Sequence, residues 1–438
     1  MKPATRSSPV KELGIGIIGF GTVGAGVADC LLKNGDVIAK RTGVKPVIRK
    51  IADLDIVRDR GVKVPAGVLT TDAMEAIEQC DVIVELVGGT TFAKTIILEA
   101  LKRGKPVVTA NKALLAKFGE ELFEAAEKSG TDIFYEASVG GGIPIIKSLR
   151  EGLVGNRINR IYGILNGTCN YILTRMERDQ ADFKEVLADA QKLGYAEANP
   201  SLDVDGFDTA HKATIMASLA YGEWFGMEPV YVEGITDITL DEIKLTDELG
   251  YKIKLLAIIK QNDGNVEVRV HPTLIPKQSM LAKVGDVFNA VMVNGDFIGD
   301  TMFYGRGAGR NATASAVVAD ITDVCLNLKF ESNRRIPGFT AGNLYENVLS
   351  IDKVKSRYYL SLQVVDLPGV LAKITNILAA HSISISSVVQ KERKDAEHVS
   401  LVILTHLCEE SNMKAAIAEI SRLSDVLNKV KFIRIEDL

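Results

Sequence analysis

The sequence predicts an α/β chain of several domains: a doubly wound parallel sheet first, an α+β region next, and a βαββαβ module last. Three observations carry this. An apolar run from Leu13 to Ile18 passes at once into GFGTVGAGVADCLLK, which reads as strand, tight glycine turn and helix. Short apolar strands at Lys45 to Ala52, Val82 to Leu86 and Pro106 to Thr109 then alternate with helical segments, the rhythm of a parallel sheet. After Ile351 a strand, a DLPG turn, an amphipathic helix and a strand follow one another, and HVSLVILTHLCEESNMKAAIAEISRL with VLNKVKFIRIE supplies a second half.

Composition narrows the class of function. The 438 residues leave room for more than one buried core. A formal net charge of -4, with no dense basic block, argues against nucleic acid or an anionic membrane as partner. The five cysteines, Cys30, Cys80, Cys169, Cys325 and Cys408, are odd in number and unpaired in spacing, so they read as core thiols in a reducing cytoplasm. No apolar run reaches membrane-spanning length, and MKPATRSSPVKEL lacks the apolar core of a secretion signal. A small-molecule role in the cytoplasm is the expectation.

The glycine turn has G-x-G-x-x-G spacing in Gly19, Gly21 and Gly24, with Phe20, Thr22 and Val23 between them. Gly19 permits the turn, Gly21 lets backbone approach a pyrophosphate, and Gly24 lets the helix pack on its strand, while the helix N-terminus offers free N–H groups to phosphate. This is a Rossmann-like dinucleotide site. Asp53, closing the second strand, stands where a carboxylate would meet a ribose, and it would repel a 2′-phosphate. Arg49 and Lys50 lie inside the strand, so NAD is favoured over NADP. Gly88, Gly89 and Thr90 follow the next strand and would line the nicotinamide side. Asn111 and Lys112 follow the strand after that. Lys112 opens a helix whose Ala113, Leu114, Leu115 and Phe118 are apolar; the helix dipole disfavours a cation there, so its placement calls for a reason.

A second lysine sits in VDGFDTAHK, where Asp208 and Lys212 are four positions apart and share one helix face, with Asp205 just before them. Taken with the dinucleotide turn, VVTANKALLA and GYAEANPSLD, this suggests a lysine-based hydride-transfer site.

GFGTVG, ELVGG, VTANKALLA, YEASVGGGIPII, LNGTCNYIL, GYAEANPSLDVDGFDTAHK and VRVHPTLIP together resemble the homoserine dehydrogenases, in family order. The resemblance implies NAD(P)H-dependent reduction of L-aspartate 4-semialdehyde to L-homoserine, on the route to threonine, methionine and isoleucine. It places the active-site lysines on Lys112 and Lys212, the acidic partners on Glu197, Asp203 and Asp208, and substrate contacts on Tyr195 and Thr168. It implies a monovalent cation, sodium, held by Glu136 and the carbonyls of Val139, Gly141 and Ile143. YGRGAGRNATASAVVADI is similar to the family's return to the nucleotide domain, so Gly305 and Gly307 join the cofactor residues. Two departures bear on the cofactor. Ala52 stands where family members commonly carry an arginine for the 2′-phosphate, which favours NAD. Arg306 stands where proline is usual and could lie near the cofactor phosphates, which keeps NADP open.

The expected domains are 1–140, completed by 303–350, for the nucleotide; 141–302 for substrate binding and dimerisation; and 356–438 for the last module. That module resembles an ACT domain, a ferredoxin-like unit that binds amino acids at the strand-to-helix turn, here Asp366, Gly369 and Val370, with threonine as the implied effector. A homodimer or homotetramer is implied in the same way. His271, inside an apolar strand, reads as a satisfied core residue. The non-enzymatic alternative is an amino-acid sensor that kept the fold and lost the chemistry. It would be expected to lose a lysine or Asp208, and neither is lost. A 2-hydroxy-acid dehydrogenase would need a catalytic histidine, and His211, directly preceding Lys212, should face another way.

Overall fold

The computed structural model describes residues 10–262, 264–335, 337, 340–344, 347–391 and 398–438. In chain order these form β1 (Lys11–Ile18), α1 (Thr22–Thr42), β2 (Val44–Ala52), β3 (Leu69–Thr70), α2 (Ala73–Gln79), β4 (Val82–Glu85), α3 (Thr91–Lys102), β5 (Val107–Thr109), α4 (Lys112–Ser129), β6 (Ile133–Phe134), α5 (Ile145–Lys147) and β7 (Ile158–Ile164). Next come α6 (Gly167–Asp179), α7 (Phe183–Lys192), α8 (Ser201–Val204), α9 (Phe207–Tyr221), β8 (Glu223–Trp224), β9 (Tyr231–Val232), α10 (Leu240–Glu248), β10 (Tyr251–Asn262), β11 (Asn265–Pro276), β12 (Phe288–Gly295), β13 (Gly299–Arg306) and α11 (Arg310–Phe330). The chain ends with β14 (Thr340–Leu344), β15 (Lys355–Val365), α12 (Val370–Ala380), β16 (Ile385–Lys391), β17 (His398–Thr405), β18 (Cys408–Glu409), α13 (Glu410–Ile420) and β19 (Lys431–Ile435). Two compact units emerge, one from Met1–Ile161, His211–Glu228 and Phe288–Glu346, the other from Tyr162–Ala210, Pro229–Val287 and Asn347–Leu438.

The first unit is built on a parallel sheet of order β3-β2-β1-β4-β5-β6. That is the doubly wound order, whose ligand crevice lies at the carboxyl ends of β1 and β4. Register fixes the crevice, since Ile18 pairs with Ala52 and with Glu85, and Glu85 with Thr109. The turns after β1, β2, β4 and β5 therefore open at one level. β1 from Leu13 onward, β4, β5 and β6 are buried throughout, as strands covered on both faces are, whereas β2 carries Lys45, Arg49 and Lys50. α11 packs on α1, and its Ala314, Val317, Ile321 and Val324 enter the core formed with Ile15, Ile17 and Val84.

The second unit carries strands in the order β10-β11-β19-β15-β17-β16. Its last part, β15-α12-β16-β17-α13-β19, is the βαββαβ module, packed on Tyr358, Leu360, Ile374, Ile403 and Met413. β19 has two neighbours: it runs antiparallel to β15 and parallel to β11, where Thr273 pairs with Arg434. The module's edge is thus joined to β11, which places the module in the same compact unit as residues 229–287.

Candidate active site

The three glycines of the first turn meet three different steric demands. Gly19 sits at φ +101°, and a Cβ there would lie 2.5 Å from the Leu86 carbonyl oxygen. A Cβ on Gly24 would lie 2.0 Å from the Gly19 carbonyl oxygen, so α1 crosses the turn closer than any side chain allows. Gly21, the N-cap of α1, has open space where its Cβ would point. Open backbone at the start of a long helix suits a pyrophosphate.

Asp53 faces this turn. Its Oδ2 accepts the Phe20 N–H at 2.5 Å and its Oδ1 the Asp55 N–H at 2.9 Å, so the carboxylate braces the glycine turn and its own loop. Arg60, which the sequence reading missed, brings Nη2 to 3.6 Å from Asp53 Oδ1, and its Nε is buried with no protein partner. Near it an open cleft of about 540 Å³ is lined by Gly61, Arg306, Arg310 and the start of α11. Arg310 Nε is also buried without a protein partner. The acidic tip read from the sequence is therefore paired with Arg60 from its own loop, and the neighbouring cleft brings in Arg306 and Arg310 from a distant part of the chain.

Beyond β4, Gly88 and Gly89 are exposed, with Gly89 at φ +79°. Asn111 Nδ2 donates to the Gly89 carbonyl at 2.8 Å while its Oδ1 caps α4 through the Leu114 N–H at 3.1 Å. One side chain thus ties the loop after β4 to the helix that Lys112 begins. Beneath them lies Glu85, wholly buried, accepting from Thr109 Oγ1 at 2.6 Å and from the Val87 N–H at 2.8 Å. Burial pushes its carboxyl up to about 7, against the opposing effect of those hydrogen bonds. A carboxylate closing the apolar run VIVE was the available sequence signal, and it passed unread.

Lys112 is half-buried at the start of α4, and Lys212 is 8% exposed on α9. The glycine turn at 140–143 meets the return segment, since Gly142 N–H donates to the Arg306 carbonyl at 3.1 Å and a Cβ on Gly141 would lie 2.4 Å from Gly307. Glu136 beside it spends both carboxylate oxygens on α5, accepting the Ile146 N–H at 2.9 Å and the Lys147 N–H at 2.7 Å. Asp320 accepts the Glu136 N–H at 2.8 Å, and burial together with the Glu136 charge holds its carboxyl well above the usual range. The Glu136 carboxylate itself is thus committed to backbone N–H groups. Main-chain carbonyls such as those of Val139, Gly141 and Ile143 are the donors this turn offers.

In the second unit Asp203 and Asp208, two of the acids singled out from the sequence, meet at Asn166, another residue the sequence reading passed over. Asn166 Nδ2 donates to Asp203 Oδ1 at 2.6 Å and to Asp208 Oδ2 at 2.8 Å, while Oδ1 caps α6 through the Cys169 N–H at 2.8 Å. Asp208 is 4% exposed at the start of α9, and Lys212 follows one turn later on the same helix. Thr168 Oγ1 donates to the Tyr195 carbonyl at 2.7 Å, and the Tyr195 ring lies 5.0 Å from that of Tyr171. Glu197 is exposed, its carbonyl accepting from Gln191 at 3.0 Å. His271 is fully buried beside Arg269 and Thr273, and burial with the Arg434 and Arg269 charges keeps it well below its usual range. In the C-terminal module Asp366 and Gly369 are exposed, Gly369 at φ +94°, and the Val370 side chain enters the core. Among the described residues no helix is long and apolar enough to cross a membrane.

Residues 144–322 match the family model for homoserine dehydrogenase, 19–136 that for its NAD binding domain, and 358–425 that for the ACT domain. The homoserine dehydrogenase of Neisseria gonorrhoeae is 44% identical over 98% of this chain and its own full length, and that of Pseudomonas aeruginosa 43% over the same shares. The crystal structure of a homoserine dehydrogenase from Thiobacillus denitrificans superposes with a TM-score of 0.92 at 43% identity, covering 98% of this chain and 99% of the other. A hyperthermophilic archaeal homoserine dehydrogenase solved in complex with NADPH matches 72% of this chain and 98% of its own at 28% identity, with a TM-score of 0.61. An oxidoreductase with a nicotinamide-nucleotide domain, a catalytic domain and an ACT domain, this chain belongs to the homoserine dehydrogenase family.

Proposed function

We propose that the chain reduces L-aspartate 4-semialdehyde to L-homoserine with Lys212, Lys112 and Asp208 as its catalytic groups. The observation that carries this is the double hydrogen bond from Asn166 to Asp203 and Asp208, which fixes two carboxylates at the entry of the helix bearing Lys212. The bound dihydronicotinamide supplies the hydride. As hydride reaches the aldehyde carbon, the carbonyl oxygen gains negative charge that must be met and protonated. Lys212, oriented by Asp208, meets that oxygen and gives or relays the proton; Lys112 supports it from the nicotinamide side. Asp203 and Glu197 suit the substrate α-ammonium group, with Tyr195 and Thr168 shaping the pocket.

The cofactor reading rests on local charge. Gly19, Phe20, Gly21, Thr22, Val23 and Gly24 would hold the pyrophosphate, and Gly88, Gly89, Thr90, Asn111, Gly305 and Gly307 the remaining groups. Asp53 favours a ribose with free hydroxyls, whereas Arg60 beside it suits a 2′-phosphate. NAD is thus favoured by Asp53, and Arg60 makes NADP the alternative. A sodium ion would rest on the carbonyls of Val139, Gly141 and Ile143, beside the buried Glu136. The reading extends to threonine as effector at Asp366, Gly369 and Val370, to the pathway of threonine, methionine and isoleucine, to a homodimer or homotetramer, and to the cytoplasm, where five free cysteines would stay reduced.

The test is the initial rate of aspartate-semialdehyde reduction with NADH and NADPH in parallel, with and without threonine. Turnover with either cofactor supports the reaction, and its inhibition by threonine supports the effector. Folded protein without turnover would overturn the reaction.

A further inference from the structure

Arg434 on β19 is 1% exposed, yet it sits among charges from two parts of the second unit. On the module's side, Nε donates to Glu410 Oε2 at 2.8 Å and Nη2 to Glu410 Oε1, with Tyr358 Oη donating to Glu410 Oε2 at 2.8 Å. On the other side, Nη1 donates to Glu233 Oε2 at 2.8 Å and Nη2 to Tyr231 Oη at 3.1 Å. Tyr231 donates in turn to Glu233 Oε2 at 2.9 Å. A planar guanidinium with five donors can hold two carboxylates in fixed directions; an ammonium cannot.

Glu233 immediately precedes a steric contact with the acid cluster. Its N–H donates to the Val270 carbonyl at 2.8 Å, which anchors it on β11. At Gly234 a Cβ would lie 2.2 Å from the Val204 carbonyl oxygen and 2.5 Å from the Asp205 Cα, and the Ile235 N–H donates to that same carbonyl at 2.8 Å. Val204 follows Asp203, and Asp205 lies three positions before Asp208. From the other direction, a Cβ on Gly206 would lie 3.3 Å from the Glu233 carbonyl oxygen. Gly234 thus meets Val204 and Asp205 backbone to backbone, a contact with no side chain to absorb a shift, while Gly206 is met by the Val232 and Val270 side chains as well as the Glu233 carbonyl.

We propose that Arg434 of the C-terminal module is a positioning residue for the amino-acid end of the substrate site, acting through Glu233 and Gly234 on the segment that carries Asp203. This rests on the reading of Asp203 as a substrate ligand. Arg434 holds Glu233, Glu233 sets the 233–235 backbone, and that backbone sets Val204 and Asp205. The module then contributes to substrate affinity through its own strand, independently of any ligand at Asp366 to Val370.

The experiment uses the full chain in the oxidation direction, measuring kcat and the KM values for L-homoserine and for the nicotinamide cofactor. Arg434 is too buried for a clean truncation, so the variants are Glu233→Ala, Glu233→Gln and Gly234→Ala, with Asp203→Asn as reference and thermal unfolding recorded for each. Glu233→Ala is expected to raise the homoserine KM roughly tenfold, with cofactor KM and kcat held within about twofold. Gly234→Ala, whose Cβ would lie 2.2 Å from the Val204 carbonyl oxygen, is expected to raise it at least as far and to lower thermal stability as well. Glu233→Gln keeps an acceptor for Arg434 and should recover most of the loss. An unchanged homoserine KM in Glu233→Ala, where Asp203→Asn raises it, overturns the positioning role and leaves the substrate reading intact. A parallel loss of kcat, both KM values and thermal stability, unrelieved by Glu233→Gln, also overturns it, because the pair would then be merely structural. If Asp203→Asn itself changes no KM, the substrate reading fails first and takes the positioning role with it.

Discussion

The Asn166 side-chain amide donates to the Asp208 carboxylate at 2.8 Å, joining the start of α6 to the start of α9 across 42 positions of sequence. The same nitrogen reaches Asp203, so one small side chain holds two acids that would otherwise repel each other. Because Asn166 also caps α6, its rotamer is fixed before any ligand arrives.

Replacing Asn166 by alanine should therefore cost kcat/KM for aspartate semialdehyde about 10- to 100-fold, the effect of leaving partly buried carboxylates without their shared donor. The cofactor KM should stay put. Steady-state kinetics with each substrate varied in turn checks both halves of this expectation.

Asp53 and Arg60 give a second expectation. Arg60→Ala should weaken NADPH binding by about tenfold and leave NADH nearly unaffected, because a guanidinium interacts with the extra phosphate more strongly than with a hydroxyl. Asp53→Ala should relax the Phe20 turn and weaken both. Fluorescence titration of the two reduced cofactors distinguishes these patterns. Equal loss of both in Arg60→Ala would show that the arginine serves the loop alone.

Glu85 sets a pH dependence. Its folded value of about 7 lies above its ordinary 4.5, so the folded state holds the proton more tightly than the unfolded one. The stability it contributes is complete below about pH 4.5 and is lost as pH rises through 7, on the order of 3 kcal/mol in all. Glu85→Gln should flatten that part of the stability profile. Chemical denaturation at several pH values between 4.5 and 8 measures it; an unchanged slope would contradict the assignment.

The glycine turn was legible because each of its demands is local. Gly19, Gly21 and Gly24 are required by a turn, an open approach and a helix crossing within six positions, and the structure shows each in place. That Asp208 and Lys212 share one helix was legible through their spacing, and the doubly wound sheet through its alternation of strands and helices. Asn166, Arg60 and Glu85 were missed for different reasons. Asn166 acquires its acidic partners only by tertiary contact, and asparagine before a helix reads equally well as a plain cap. Arg60 pairs with Asp53 and Asp55 inside one irregular loop, where no periodicity marks which charges meet. Glu85 looked like the end of a strand, and only its burial makes it unusual. The union of β19 with β11 pairs positions 273 and 434, a separation for which pattern reading has no signal.

Gly24→Ala tests the steric argument most simply. A methyl group 2.0 Å from the Gly19 carbonyl oxygen forces α1 away from its strand. The expected result is loss of cofactor binding with a drop of roughly 1–3 kcal/mol in stability. Calorimetry with and without cofactor reads both; cofactor affinity equal to wild type would show that the turn tolerates the shift.

The most direct test of the central claim is single-turnover hydride transfer by Lys212→Ala with saturating aspartate semialdehyde and reduced cofactor, alongside cofactor titration of the same protein. The chemical step is predicted to slow by about 10²- to 10⁴-fold with cofactor affinity retained, as expected of a group that meets the developing alkoxide. A hydride-transfer rate equal to wild type would contradict the role given to Lys212, and equal loss of cofactor affinity and rate would assign the lysine to structure instead.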